Sequence, residues 1–174
     1  MAPYNVLFIC SGNSARSVIA EALLNLRGAG RFQAYSAGSQ PRGLVQPAAL
    51  EALERCHVPV GTPRSKSWDE FVQAGAPHMD FVFTLCDRAA AETCPTWHGD
   101  PVTAHWGVAD PTLVAGSDDE RLRAFLRTVH DLDTRIRIFT SLSLDSLDHL
   151  AVRSHLDAIG QLPSTAAEAV GRTS

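Results

Sequence analysis

Lysine is almost absent from this chain: Lys66 is the single one in 174 residues, and the other basic residues are arginines scattered along the sequence. With no block of positive charge and a formal net charge of −4, the chain lacks the phosphate-tracking stripe of a nucleic-acid binder. No apolar run approaches the roughly 20 residues that span a bilayer. The opening segment carries neither the basic flank nor the cleavage site of a signal peptide. The expectation is a cytoplasmic protein with no nucleic-acid partner and no membrane. Aromatic residues make up only 7%, and no basic groove accompanies Trp68, Trp97 and Trp106, which therefore read as core or rim residues. Cysteine is scarce too, at four. In a reducing compartment four thiols serve as nucleophiles, redox partners or metal ligands in preference to a permanent disulfide framework. Apolar content is ample at 45%, enough for one globular domain with its own core.

The hydrophobic pattern alternates between strand and helix. Tyr4-Asn5-Val6-Leu7-Phe8-Ile9 reads as a buried strand, and Val18, Ile19, Ala22, Leu23 and Leu26 have helical spacing. Phe32 to Ser36 predicts a second strand, and Pro47 to Arg55 a helix opened by proline. Asp80 to Cys86 predicts a third strand, nearly continuous in apolar character, and Pro101 to Trp106 a fourth. The strongest helix is predicted from about Ser117 to Leu142, opened by the capping box Ser117-Asp118-Asp119-Glu120. Leu147, Leu150, Leu156 and Ile159 suggest another helix, and Pro163 to Ser174 reads as a disordered tail. Together these predict an α/β fold in three layers, with an open parallel four-stranded sheet and helices on both faces. Ligands of such sheets gather outside the strands' carboxyl ends, where Cys10 and Cys86 both fall.

Cys10 opens the stretch Ser11-Gly12-Asn13-Ser14-Ala15-Arg16-Ser17, which joins the first strand to the first helix. Successive backbone N–H groups in such a loop can cradle a tetrahedral oxyanion, and the helix dipole adds favourable potential. A cysteine there is expected to ionise easily and act as a nucleophile, with Arg16 holding two anion oxygens through its planar fork. Gly12 and Asn13 permit the unusual backbone angles of a tight cradle.

Cys86 and Cys94 bracket seven residues, more than the two to four of a structural zinc knuckle, although His98 and His105 follow. Two unrelated thiols would also fit the spacing. The preferred reading is a redox pair on a mobile segment, one thiol reaching the first sulfur and the other carrying the disulfide outward. Asp110, before Pro111, is the candidate proton donor to a leaving oxygen. Asn13, Glu21 and Ser36 are candidates to support the loop from beneath or to bind a small cation. Cys56 and His57 read as structural.

These residues together resemble the low-molecular-weight tyrosine phosphatases, and within that fold the arsenate reductases. The likeness runs from about Val6 to Phe139 and rests on Cys10 to Ser17, Ala20-Glu21, Ser36-Ala37-Gly38, Thr84-Leu85-Cys86, Cys94-Pro95 and Trp106 to Pro111. It implies a phosphatase-like catalytic domain over residues 1–142 and a C-terminal extension over 143–174. It further implies arsenate, or a phosphate-like oxyanion, bound by Ser11 to Ser17, attack by Cys10, protonation by Asp110 and a second attack by Cys86. Cys94 would then pass the disulfide to thioredoxin, or to glutathione with glutaredoxin, and no cofactor would be tightly bound. Family members that bind potassium use residues matching Asn13, Glu21 and Ser36 plus an acidic residue, whereas here Lys66 lies in that region and could supply the charge itself. The leading alternative is a tyrosine phosphatase, although Thr112 follows Asp-Pro where those enzymes commonly carry an aromatic. A non-enzymatic oxyanion or redox sensor is the other.

Overall fold

The computed structural model describes residues 2–92 and 94–163. The disorder expected of the tail falls, beyond Pro163, outside the described residues. Four strands, β1 (Tyr4–Ile9), β2 (Phe32–Ala37), β3 (Phe81–Thr84) and β4 (Val102–His105), form one sheet in the order β2-β1-β3-β4, every pair parallel. The helices are α1 (Arg16–Arg27), α2 (Pro47–Arg55), α3 (Asp87–Ala91), α4 (Asp118–Ser141) and α5 (His149–Gly160), with short 3-10 turns at Trp68–Phe71, Pro111–Leu113 and Leu144–Ser146. The chain leaves β1 towards β2 on one side and returns to β3 on the other, so the order reverses at the carboxyl end of β1. That reversal opens a crevice, the usual ligand position in a doubly wound sheet. Cys10 is the first residue beyond β1, and Cys86 is the second beyond β3.

β1 explains the layering. Its alternate residues point to opposite faces, and both are buried. Val6 and Phe8 enter a large core with residues of α1, α2, α4 and α5, while Leu7 and Ile9 enter a smaller one with Phe71, Met79, Val82, Ala89 and Trp97. Helices thus cover both faces, unevenly: four pack on one side, and α3 with the turn at Trp68–Phe71 covers the other. In α1 it is Leu24, not Leu26, that turns inward.

The centre of the large core is aromatic. Trp106 is fully buried, stacked on Phe83 with centroids 3.9 Å apart and edge-on to Phe139 at 5.8 Å. Burying an indole of roughly 200 Å² stabilises by about 5 kcal/mol. Its Nε1–H donates to the Leu156 carbonyl of α5 at 3.0 Å, which satisfies the only polar atom the ring buries. Val152, Leu156 and Ile159 of α5 join the same core, and the buried Arg135 of α4 donates to the Leu162 carbonyl at 2.9 Å. Helix α5 is therefore built into the domain. The capping residue Ser117 accepts the Glu120 N–H at 3.2 Å, as the pattern at the start of α4 predicts. Among the described residues, no helix is long and apolar enough to cross a membrane.

Candidate active site

The loop from Cys10 to Ser17 turns back on itself at Asn13, whose φ is +42° and whose N–H bonds the Cys10 carbonyl at 3.2 Å. Asn13 is fully buried and serves as an internal post. Its Nδ2 donates to Ser17 Oγ at 2.7 Å, and its Oδ1 accepts the Lys66 N–H at 2.8 Å. The loop's carbonyls are taken up from outside: Ser11 by the N–H of Gln40 at 2.9 Å, Gly12 by that of Arg42 at 3.0 Å and Ser14 by that of Gln46 at 2.8 Å. The N–H groups of Gly12, Ser14, Ala15 and Arg16 have no protein acceptor among the described residues, which leaves them free to bind an anion. Ala15 provides no side-chain cap for α1, so the orphan donors of its first turn stay open to an anion. Gly38 lies flat against the loop. A Cβ there would sit 2.4 Å from the Ser11 carbonyl oxygen and 2.6 Å from that of Cys10.

Cys10, Gly12 to Arg16, Arg42, Asp110 and Thr112 enclose a cavity of about 20 Å³. It is small, and Arg16 is engaged with the wall opposite the loop, donating to the Val108 carbonyl at 2.9 Å and pairing with Asp110 at 3.3 Å. Asp110 also accepts the Thr112 N–H at 3.0 Å and the Thr112 hydroxyl at 2.7 Å through its other oxygen. Thr112, conspicuous in the sequence only for not being aromatic, thus orients the candidate acid. Arg42 was not singled out by sequence. It lines the mouth with its side chain against Gly12.

Cys86 is the N-cap of α3 and is buried, as is Cys10. The two thiols share one buried cluster, close enough for each to govern the other's ionisation. Cys86 Sγ also accepts the Ala89 N–H at 3.4 Å and lies 3.6 Å from Ser11 Oγ. The sequence expectation is that Cys10 ionises easily; in the free protein the neighbouring Cys86 and burial oppose that. Cys86 is lowered to about 5 by the hydrogen bond it receives from Cys10, against burial and with help from the Ser11 and Ala89 backbone N–H groups. Cys10 is raised by that same bond and by burial, with Arg16 pulling the other way. The hydrogen-bond donors converge on Cys86. Arg16, already paired with Asp110, offers Cys10 less.

Cys94 is not brought to this pair. It is exposed and lines a separate cleft of about 370 Å³ between β3, β4 and α5, with Trp97, His105 and Arg153. Partial burial, then Glu92, pushes its thiol up. No three His, Cys, Asp or Glu residues stand together as a metal site among the described residues, so Cys94, His98 and His105 do not form the zinc set that their order left open.

Beneath the loop, Ser36 Oγ–H donates to Glu21, and the Lys66 ammonium lies 3.4 Å from Ser36 Oγ, 3.2 Å from the Arg64 carbonyl and 3.9 Å from Glu21. Burial raises Glu21 and lowers Lys66 despite their mutual attraction. Glu21 and Ser36 converge there around the ammonium, while Asn13 meets the backbone N–H of Lys66. They do not fit a potassium ion as well, because Lys66 already occupies their centre.

A cysteine and an arginine stand on a strand–loop–helix cradle, with an aspartate from the loop after the fourth parallel strand, as the candidate oxyanion site. The chain belongs to the low molecular weight phosphotyrosine protein phosphatase family, whose model matches residues 5–149. Among its relatives is an arsenate reductase of Halalkalibacterium halodurans, 32% identical over 134 residues that cover 77% of this chain and 93% of the relative. The crystal structure of an arsenate reductase from Archaeoglobus fulgidus is 28% identical with a TM-score of 0.61, covering 79% of this chain and 99% of that one. A thioredoxin-dependent arsenate reductase of Corynebacterium glutamicum is 27% identical with a TM-score of 0.61, covering 83% of this chain and 64% of that one.

Proposed function

We propose that this protein reduces arsenate to arsenite. The observation that carries the reading is that Cys86 stands beside Cys10 at the oxyanion cradle, in one buried cluster with it and 3.6 Å from Ser11 Oγ, since phosphoester hydrolysis has no use for a second thiol there. Arsenate enters the loop as phosphate would, held by the loop's free N–H groups and by Arg16 once it turns from Asp110. Cys10 gives up its proton to solvent and attacks arsenic as the thiolate, forming the S–As bond as an As–O bond breaks, and Asp110 protonates the departing oxygen, which leaves as water. Cys86 thiolate then attacks the Cys10 sulfur. The sulfur–arsenic electron pair stays with arsenic, which is reduced by two electrons and leaves as arsenite, while the two thiols are oxidised to a Cys10–Cys86 disulfide. Cys94 thiolate next attacks Cys86, freeing Cys10 as thiolate, and an external dithiol such as thioredoxin, or glutathione with glutaredoxin, reduces the Cys86–Cys94 bond. Four free thiols suit the reducing cytoplasm. No potassium ion takes part, because Lys66 supplies the charge beneath the loop.

The test is arsenate-dependent NADPH oxidation coupled to thioredoxin and its reductase, or to glutathione and glutaredoxin, run beside aryl-phosphate hydrolysis. Arsenate turnover is expected with at least one couple, absent from Cys10→Ser. Cys86→Ser is expected to retain hydrolysis and lose arsenite release. Hydrolysis without any arsenate turnover in the native protein, or full arsenate turnover in Cys86→Ser, overturns the assignment in favour of a phosphatase.

A further inference from the structure

Cys86 lies between two residues tied to one imidazole. Thr84, the last residue of β3, meets His105 Nδ1 at 2.8 Å, and Asp87, the first residue of α3, meets His105 Nε2 at 3.0 Å. His105 is the register partner of Thr84 at the end of β4. With its proton on Nε2, the ring donates to the Asp87 carboxylate and accepts the Thr84 hydroxyl. The Asp87 side chain is otherwise bare, at 99% exposure. Its one fixed contact is therefore the bond that pins the first turn of α3 to the sheet.

That turn needs pinning. Helix α3 has five residues and buries only Ala89, far below the length at which a helix holds itself. Apart from the cap, its other ties are the Arg88 bond to Gln40 at 2.9 Å and the Arg88–Glu92 pair at 3.6 Å. The cap that keeps Cys86 Sγ on the Ala89 N–H, facing Cys10, lasts only while this turn is wound. The relay then demands the opposite. Cys86 caps α3, while Cys94 lies three residues past its last residue, Ala91, and lines a separate cleft. A disulfide joins Cα atoms no more than about 7 Å apart. Cys86 has to leave its place in the cap before Cys94 can reach it. His105 stands at this junction, since it also lines the cleft that holds Cys94.

We propose that His105 is a positioning residue of the thiol relay: it holds Cys86 beside Cys10 for the first disulfide, and its release of Asp87 frees Cys86 to pair with Cys94. The inference rests on the relay proposed above and gives it a signature. Loosening the staple slows the first bond and speeds the second. An effect on folding alone would not move the two steps in opposite directions.

The full-length reduced protein is mixed with one equivalent of arsenate, quenched by alkylation at intervals, and its disulfides are mapped. In His105→Ala and Asp87→Ala, formation of Cys10–Cys86 is expected to slow by roughly three- to tenfold, the worth of one hydrogen bond. Conversion to Cys86–Cys94 should accelerate by roughly the same factor, with competitive inhibition by inorganic phosphate unchanged. Asp87→Asn keeps an acceptor for Nε2–H and is expected to restore native rates. Asp87→Ala alters only an exposed side chain, so it keeps the test decisive if His105→Ala fails to fold. Both steps slowing together, or neither changing, overturns the staple. A native protein that forms Cys10–Cys86 and never Cys86–Cys94 overturns the relay itself, which separates the two failures.

Discussion

Arg16 and Asp110 are paired at 3.3 Å across the mouth of the oxyanion loop, each more than four-fifths buried. The pair closes the cavity and sets the anion in competition with Asp110 for one guanidinium. Asp110→Asn should therefore bind inorganic phosphate about two- to fivefold more tightly than the native protein, because a charged competitor is lost. The same variant should slow the step that expels oxygen by roughly a hundredfold. Calorimetric phosphate titration and single-turnover quench of arsenate separate the two effects, and weaker phosphate binding would contradict the competition.

The low value of Cys86 gives the reduced protein a thiolate well below neutral pH. Ultraviolet thiolate absorbance should titrate with a midpoint near about 5. In Cys10→Ala, which removes the donor, that midpoint should move towards the ordinary 9.0. The linkage has a definite sign: a depressed thiol stabilises the fold fully above its ordinary value and loses that contribution as pH falls through its folded value. Between pH 9 and 5 the native protein should lose more stability on acidification than Cys86→Ala does, read from urea unfolding. Above pH 9 the raised Cys10 works the other way, favouring the folded state less as pH climbs.

Lys66→Met should leave Glu21 partly buried without its cation and cost roughly 1–3 kcal/mol in urea unfolding. Native arsenate turnover should be equal in potassium and sodium buffers of the same ionic strength. A potassium requirement in the native protein would show that Lys66 does not serve as the cation.

Gly38→Ala tests whether the loop's shape is held from behind. A Cβ at this position meets two carbonyl oxygens at under 3 Å, so the loop must shift and its N–H groups lose their aim. Phosphate affinity should fall by tenfold or more with Tm lowered only a few degrees; unchanged affinity would locate the loop's rigidity elsewhere.

What the sequence made legible was local. Cys10, Arg16 and the turn at Asn13 lie within one short stretch, and Cys86 and Asp110 follow strands whose apolar pattern is unmistakable, so topology alone carries them to one edge. The rest is decided by partners far along the chain. Lys66 meets Glu21 across 45 residues, Thr84 meets His105 across 21 and Arg135 reaches Leu162 across 27, and no periodicity announces such pairs. The balance of ionisation between the two thiols is hidden from sequence for the same reason. It depends on which sulfur the backbone N–H groups of Ser11 and Ala89 address, and hydrophobic pattern says nothing about that.

The reversal of strand order at β1 has a metric consequence. It makes β1 and β3 neighbours, and neighbouring strands stand about 4.8 Å apart, inside the 4.4–6.8 Å that separates the Cα atoms of a disulfide. Ile9 is level with Thr84, so the residues that leave these two strands start out side by side. The sheet therefore works as a gauge: it starts Cys10, one residue past Ile9, and Cys86, two residues past Thr84, from neighbouring strands. A first disulfide can form and break there without any change in the frame that measures it.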